Sequence, residues 1–159
     1  MTQLEVRPLS RAVGAEILGI NLLNPVSDAQ IAEIRKIWLQ HSVVFFREQP
    51  LEPGAFQAFA QRFGEIIEYP FVKGLPDFPL IVPVLKLPHE KHNFGGVWHT
   101  DTTYLQEPPM ATMLIARELP PVGGDTIWAN MNLAYEKLPE GVKQQIEGLI
   151  ANHSFNSTF

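Results

Sequence analysis

His99 and Asp101 stand two residues apart in Trp98-His99-Thr100-Asp101, just after Gly95 and Gly96, in a chain with only five histidines and four aspartates. An imidazole and a carboxylate at this spacing can grip one metal ion. Alternate side chains of an extended strand face the same way, so His99 and Asp101 are expected on one side, with Trp98, Thr100 and Thr102 on the other. A nitrogen and an oxygen donor converging on one point make two corners of the facial triad that holds non-haem Fe(II). The third corner is normally a histidine from a distant strand. Three protein donors on one face leave three positions open, as oxygen chemistry requires. Taken alone the spacing is weak, because a satisfied structural histidine beside a strand-end aspartate produces it too.

The elements that must position these groups are constrained by composition. At 159 residues the chain has one domain's worth of protein, and 45% apolar against 18% charged residues marks it as globular. A net charge of -5 opposes binding to nucleic acid, which demands a basic face. No apolar run approaches the length needed to cross a bilayer, and MTQLEVRPLSRAVG lacks the apolar core of a secretory signal. The absence of cysteine excludes disulfides, thiolate metal sites and cysteine nucleophiles, and it fits a reducing compartment. A cytoplasmic location is therefore expected, with no membrane partner. There is no H-E-x-x-H helix, which disfavours a zinc hydrolase.

Short extended pieces are expected at Leu4 to Pro8 and Ala15 to Ile20. In VSDAQIAEIRKIWLQHS the spacing of Ile31, Ile34, Ile37 and Trp38 predicts a helix, and Ser27 with Gln30 forms a capping-box pattern. VVFFR at 43–47 has the composition of a buried strand. A second helix is expected over 52–64, with Pro53 in its first turn and Phe56, Phe59 and Phe63 as its apolar stripe. One strand is expected within DFPLIVPVLKLP, two more at 111–119 and 125–130 around the loop PPVGG, and the start of another at ANHSF. NLAYEKL and GVKQQIEGLI read as helices. The expected class is α+β, with the strands after residue 80 dominating.

The segment that follows the triplet, TTYLQEPPMATMLIARELPPVGGDTIWAN, resembles the corresponding block of the taurine dioxygenase (TauD/TfdA) family of Fe(II)- and 2-oxoglutarate-dependent dioxygenases. The shared elements are W-H-T-D, the Pro-Pro pair, A-R-E-L-P and G-G-D-T. GAEILGINL, DAQIAEIRKIW, VVFFREQPL and FAQRFGE extend the likeness toward the N-terminus. The resemblance implies a double-stranded β-helix (jelly-roll) with flanking helices, incomplete in this chain. It implies that residues 1–159 form the N-terminal half to two-thirds of a single domain without an internal boundary. His99 and Asp101 match the first two iron ligands, and Thr126 matches the threonine that hydrogen-bonds the far carboxylate of 2-oxoglutarate. The counterparts of Thr102 and Phe159 lie near substrate. Implied with them are Fe(II), 2-oxoglutarate and O2, and a reaction that releases succinate and CO2 while oxidising a small organic molecule.

The family's distal iron-binding histidine and its 2-oxoglutarate-pairing arginine have no counterpart in these 159 residues. His153 is a tempting third ligand, although family members can carry a non-ligand histidine there. His89 and His92 fall in an upstream loop. The taurine-type enzymes place a histidine after the FGE segment to meet a sulfonate, whereas IIEYPFVKGLPDF, residues 66–78, has none. Lys73 is available there for an anion, and Tyr69 or Phe71 for an apolar pocket wall. Sulfonates, alkyl sulfates and carboxylates stay open as substrates. The expected partners are a small molecule and further copies of the chain in a homo-oligomer. The competing reading is a catalytically silent fragment or subunit-interaction protein that keeps half of the fold.

Overall fold

The computed structural model describes residues 4–91 and 94–154, which group into two compact units. The first unit takes in residues 1–64 and 116–147, the second residues 65–115 and 148–159. Of the readings above, those on His92 and Phe159 lie outside the described residues.

The first unit is built on a three-stranded sheet in the order β1 (Glu5–Pro8), β2 (Ala15–Leu18), β3 (Val44–Phe45). β1 and β2 form an antiparallel hairpin in which Glu5 faces Leu18 and Pro8 faces Ala15. Gly14 closes its loop at φ +92°, a conformation that costs glycine little, and Leu9 N–H donates to its carbonyl at 2.9 Å. β3 lies parallel to β2, with Ala15 opposite Val44, so helix α1 (Asp28–His41) serves as the crossover.

Helix α1 starts where the sequence places it. Ser27 Oγ accepts from Gln30 N–H, and the Gln30 side chain accepts from Ser27 N–H, so two otherwise orphaned donors are satisfied. Its apolar face sinks Ile31, Ile34 and Ile37, while Trp38 is half-buried and donates its indole N–H to Ser42 O. Helix α2 (Pro53–Gln61) carries Pro53 in its first turn and buries Phe59, which meets Phe46 and Phe63 edge-on. Arg62 at its end donates to Val26 O and to Asp28 Oδ1, both at 2.6 Å, tying α2 to the start of α1. The two short helices α3 (Met131–Glu136) and α4 (Glu140–Ile146) complete the unit. Asn130 caps α3, and its amide donates to Ala12 O at 2.7 Å.

Among the described residues every buried apolar side chain lies between Leu4 and Phe59. The sheet is therefore N-terminal, whereas the strands after residue 80 were expected to dominate. Segments 111–119 and 125–130, and the apolar stretch after Asp77, run without a strand ladder among the described residues. The physical reason is that β propensity alone does not make a strand. Paired backbone does, and among the described residues no segment pairs with these in a ladder. Among its described residues the second unit is made of turns and irregular backbone, with one isolated bridge, Leu75–Phe78.

Candidate functional site

In the second unit His99 and Asp101 meet. Nε2 of His99 lies 3.1 Å from Oδ1 of Asp101. The segment carrying them is irregular, and Thr102 that follows has φ +51°. Strand alternation is thus not what brings the two side chains together. Tethers on their far sides do so. Nδ1 of His99 lies 2.7 Å from Val97 O, and a carbonyl can only accept, so Nδ1 carries the hydrogen. Oδ2 of Asp101 accepts from Thr112 Oγ1 at 2.7 Å.

These tethers turn Nε2 of His99 and Oδ1 of Asp101 toward one another. With its hydrogen on Nδ1, a neutral imidazole turns a lone pair from Nε2 toward a carboxylate oxygen. Two acceptors at this distance repel unless a proton or a cation lies between them. Borderline divalent ions hold nitrogen and oxygen donors at about 2.1 Å, which sets donors in adjacent octahedral positions about 3.0 Å apart. The 3.1 Å separation fits such a pair and equally fits a direct imidazole–carboxylate ion pair. Both side chains keep contact with solvent, at 36% and 53% exposure, so an ion has access. The donor set of one imidazole and one carboxylate fits Fe(II) in kind but supplies two ligands. Among the described residues no group of three histidines, cysteines or carboxylates could hold a metal.

Gly95, at φ +67°, adds a steric constraint. A Cβ there would come within 3.1 Å of His99 Cε1, so glycine leaves the imidazole its place. His153 engages elsewhere, with Nδ1 2.8 Å from Thr103 Oγ1, which in turn lies 2.7 Å from Thr100 Oγ1. His89 is exposed in a turn.

Beside Asp101 sits Thr102, a β-branched residue in the left-handed region, where such side chains are strained. Its hydroxyl is buried and has no hydrogen-bond partner among the described residues. Strain and an unmet buried polar group are each costly, and strained backbone of this kind clusters at functional sites. Tyr104, Phe71 and Tyr69 form an aromatic group in the same unit, with ring centroids 5.8 Å apart for Phe71–Tyr104 and 6.4 Å for Tyr69–Phe71. Burial, with the neighbouring Tyr69 and the Asp101 carboxylate, pushes the Tyr104 phenol up to about 12. Tyr104 is therefore a neutral hydroxyl at physiological pH.

Thr126 belongs to the first unit. It lines a cleft of about 500 Å³ together with Arg47, Gly123, Gly124, Asp125 and Trp128. Gly123 and Gly124 hold φ +82° and +74°, and a Cβ on Gly124 would meet Pro120 Cγ at 3.2 Å, so this turn requires glycine. Arg47, which the sequence reading passed over, is anchored through Nε to Glu16 Oε1 at 3.2 Å. A hydroxyl and a guanidinium thus border one cleft. Thr112 and Tyr104 were also missed. Their only signal in the sequence was proximity to the triplet.

The sequence profile of the taurine catabolism dioxygenase TauD, TfdA family matches residues 5–159. An alkylsulfatase of Acinetobacter baylyi is 37% identical over 153 residues, covering 96% of this chain and 47% of that protein. An alpha-ketoglutarate-dependent sulfate ester dioxygenase of Pseudomonas putida is 33% identical, covering 96% of this chain and 50% of its own length. Among solved structures, a taurine dioxygenase from Burkholderia xenovorans superposes with a TM-score of 0.79 at 36% identity, over 91% of this chain and 51% of that one. The chain spans about half the length of the curated relatives it matches. With the match running across nearly all its residues, the chain belongs to the TauD/TfdA dioxygenase family.

Proposed function

We propose that this chain supplies two iron ligands and a 2-oxoglutarate contact to a dioxygenase that oxidises a small sulfate ester, sulfonate or aryloxy carboxylate. The observation that carries the reading is the 3.1 Å approach of His99 Nε2 and Asp101 Oδ1, each tethered on its far side. These substrate classes are those of relatives: a sulfate ester dioxygenase, a sulfonate dioxygenase-like protein at 29% identity, and a phenoxypropionate/alpha-ketoglutarate-dioxygenase at 32%. The fold in which the chain would act is the jelly-roll, with residues 1–159 contributing the first part of a single domain. The third iron ligand and the arginine for 2-oxoglutarate would come from residues outside these 159.

When bound, Fe(II) with 2-oxoglutarate and O2 supplies the oxidising power, and 2-oxoglutarate leaves as succinate and CO2. His99 and Asp101 fix the geometry of that ion and balance part of its charge. The Thr126 hydroxyl donates to the far carboxylate of 2-oxoglutarate, a role that brings no full charge to be desolvated. The Thr102 hydroxyl, buried without a partner among the described residues, would donate to an anionic substrate group. Phe159 would border the substrate as well.

The test is succinate release by the complete natural protein with Fe(II) and 2-oxoglutarate, over a panel of alkyl sulfates, alkyl sulfonates and aryloxy acids. Substrate-dependent succinate with one of these classes supports the reading, and its absence with all of them refutes the substrate assignment. A second reading rests on the exposure of Leu114, Leu119, Ile127 and Trp128 on segments without a ladder. It holds that these residues serve subunit contacts in a silent protein. A homo-oligomer that binds no Fe(II) would favour it.

A further inference from the structure

We propose that Thr112 is a positioning residue for Asp101, holding the carboxylate as a one-oxygen iron ligand. The assignment rests on the iron reading given above. The two carboxylate oxygens have different surroundings: Oδ1 faces His99 Nε2 at 3.1 Å, while Oδ2 accepts the Thr112 hydroxyl at 2.7 Å. Thr112 lies eleven residues further along the chain, past the Pro108-Pro109 pair, so the bond links the triplet to a separate segment. A carboxylate has no hydrogen when ionised, which fixes the direction of donation from Thr112 to Asp101.

The consequence lies in counting positions. A free aspartate can ligate through one oxygen or two. In a three-donor facial site on an octahedral ion, three positions stay open, enough for a two-point chelating 2-oxoacid and one O2. A second oxygen from Asp101 would close one of them. The Thr112 hydroxyl engages Oδ2 and limits rotation of the carboxylate, so Oδ1 faces His99, and Oδ2 would be kept from an ion held by the pair. Hydrogen bonds to ligating carboxylates commonly change metal affinity by about 10- to 100-fold. The alternative, a surface threonine making an incidental local bond, would leave metal binding untouched.

The experiment compares Fe(II) dissociation constants, measured anaerobically on the complete natural protein, for wild type, T112V, T112S, H99A and D101A. Metal coordination number from X-ray absorption and thermal stability of the metal-free protein are read in parallel. Valine keeps the shape of threonine and removes the hydroxyl. The expected result is about 10- to 100-fold weaker binding in T112V, binding close to wild type in T112S, and unchanged metal-free stability in both. Bound T112V should show Asp101 contributing a second oxygen. Unchanged affinity in T112V overturns the Thr112 assignment alone, as does a loss that serine does not rescue. Wild type that binds no Fe(II), or H99A and D101A that bind it as well as wild type does, overturns the iron reading and the assignment with it.

Discussion

Thr103 Oγ1 and His153 Nδ1, fifty residues apart in the chain, lie 2.8 Å from one another. Thr100 continues the chain of hydroxyls at 2.7 Å from Thr103. The segment holding His99 and Asp101 is therefore braced, through Thr103 and Thr100, by His153. His153 is in this arrangement a brace, with one ring nitrogen already engaged.

The variant H153A should accordingly weaken Fe(II) binding only slightly. A single hydrogen bond contributes about 1 kcal/mol, equivalent to roughly fivefold in affinity. Isothermal titration of the complete natural protein under anaerobic conditions would measure it. A loss as large as that of H99A would mean that His153 ligates the metal.

Ser27→Ala removes the acceptor that caps α1 and disrupts its reciprocal bond with Gln30. A cost of about 1 kcal/mol is expected in chemical denaturation, from the loss of an N-cap hydroxyl. The same substitution should leave Fe(II) affinity unaltered, since Ser27 is in the unit that does not contain His99.

Tyr104 makes a pH-dependent contribution whose sign follows from its raised pKa. The fold favours the neutral phenol, whose ordinary value of 10.0 rises to about 12. That stabilisation is complete below pH 10 and disappears as pH climbs toward 12. In an alkaline absorbance titration of the folded protein, one tyrosinate step near pH 12 is expected, and Y104F should abolish it. A titration in which Y104F removes a step near pH 10 would contradict the assignment.

Local signals in the sequence carried well into the structure. The capping box at Ser27, the Ile31-Ile34-Ile37 face and Pro53 in the first turn of α2 all depend on neighbours within a few residues, and all are present. The short strands near 5–8, 15–18 and 44–45 were legible because a hairpin and one crossover helix supply their partners nearby. Segments 111–119 and 125–130 have the composition of strands but depend on distant pairing, which composition cannot reveal.

The meeting of His99 and Asp101 was legible in residue type and spacing, yet not in its cause. Two carbons on alternate strand positions would point the same way by default. Here Val97 O and Thr112 Oγ1 hold the side chains in irregular backbone, with Thr102 at positive φ directly after them. The contact of Thr112 with Asp101 depends on how the chain turns at Pro108-Pro109, a tertiary fact that no pattern in the sequence states.

The account stands most directly on one spectroscopic measurement. Fe(II) and 2-oxoglutarate are added anaerobically to the complete natural protein, to H99A and to D101A, and the weak visible charge-transfer band of the chelated iron is recorded. Appearance of the band in the natural protein and its loss in both variants is the expected result. A band that persists in H99A and D101A, or is absent from the natural protein, would contradict the claim that these two side chains hold iron.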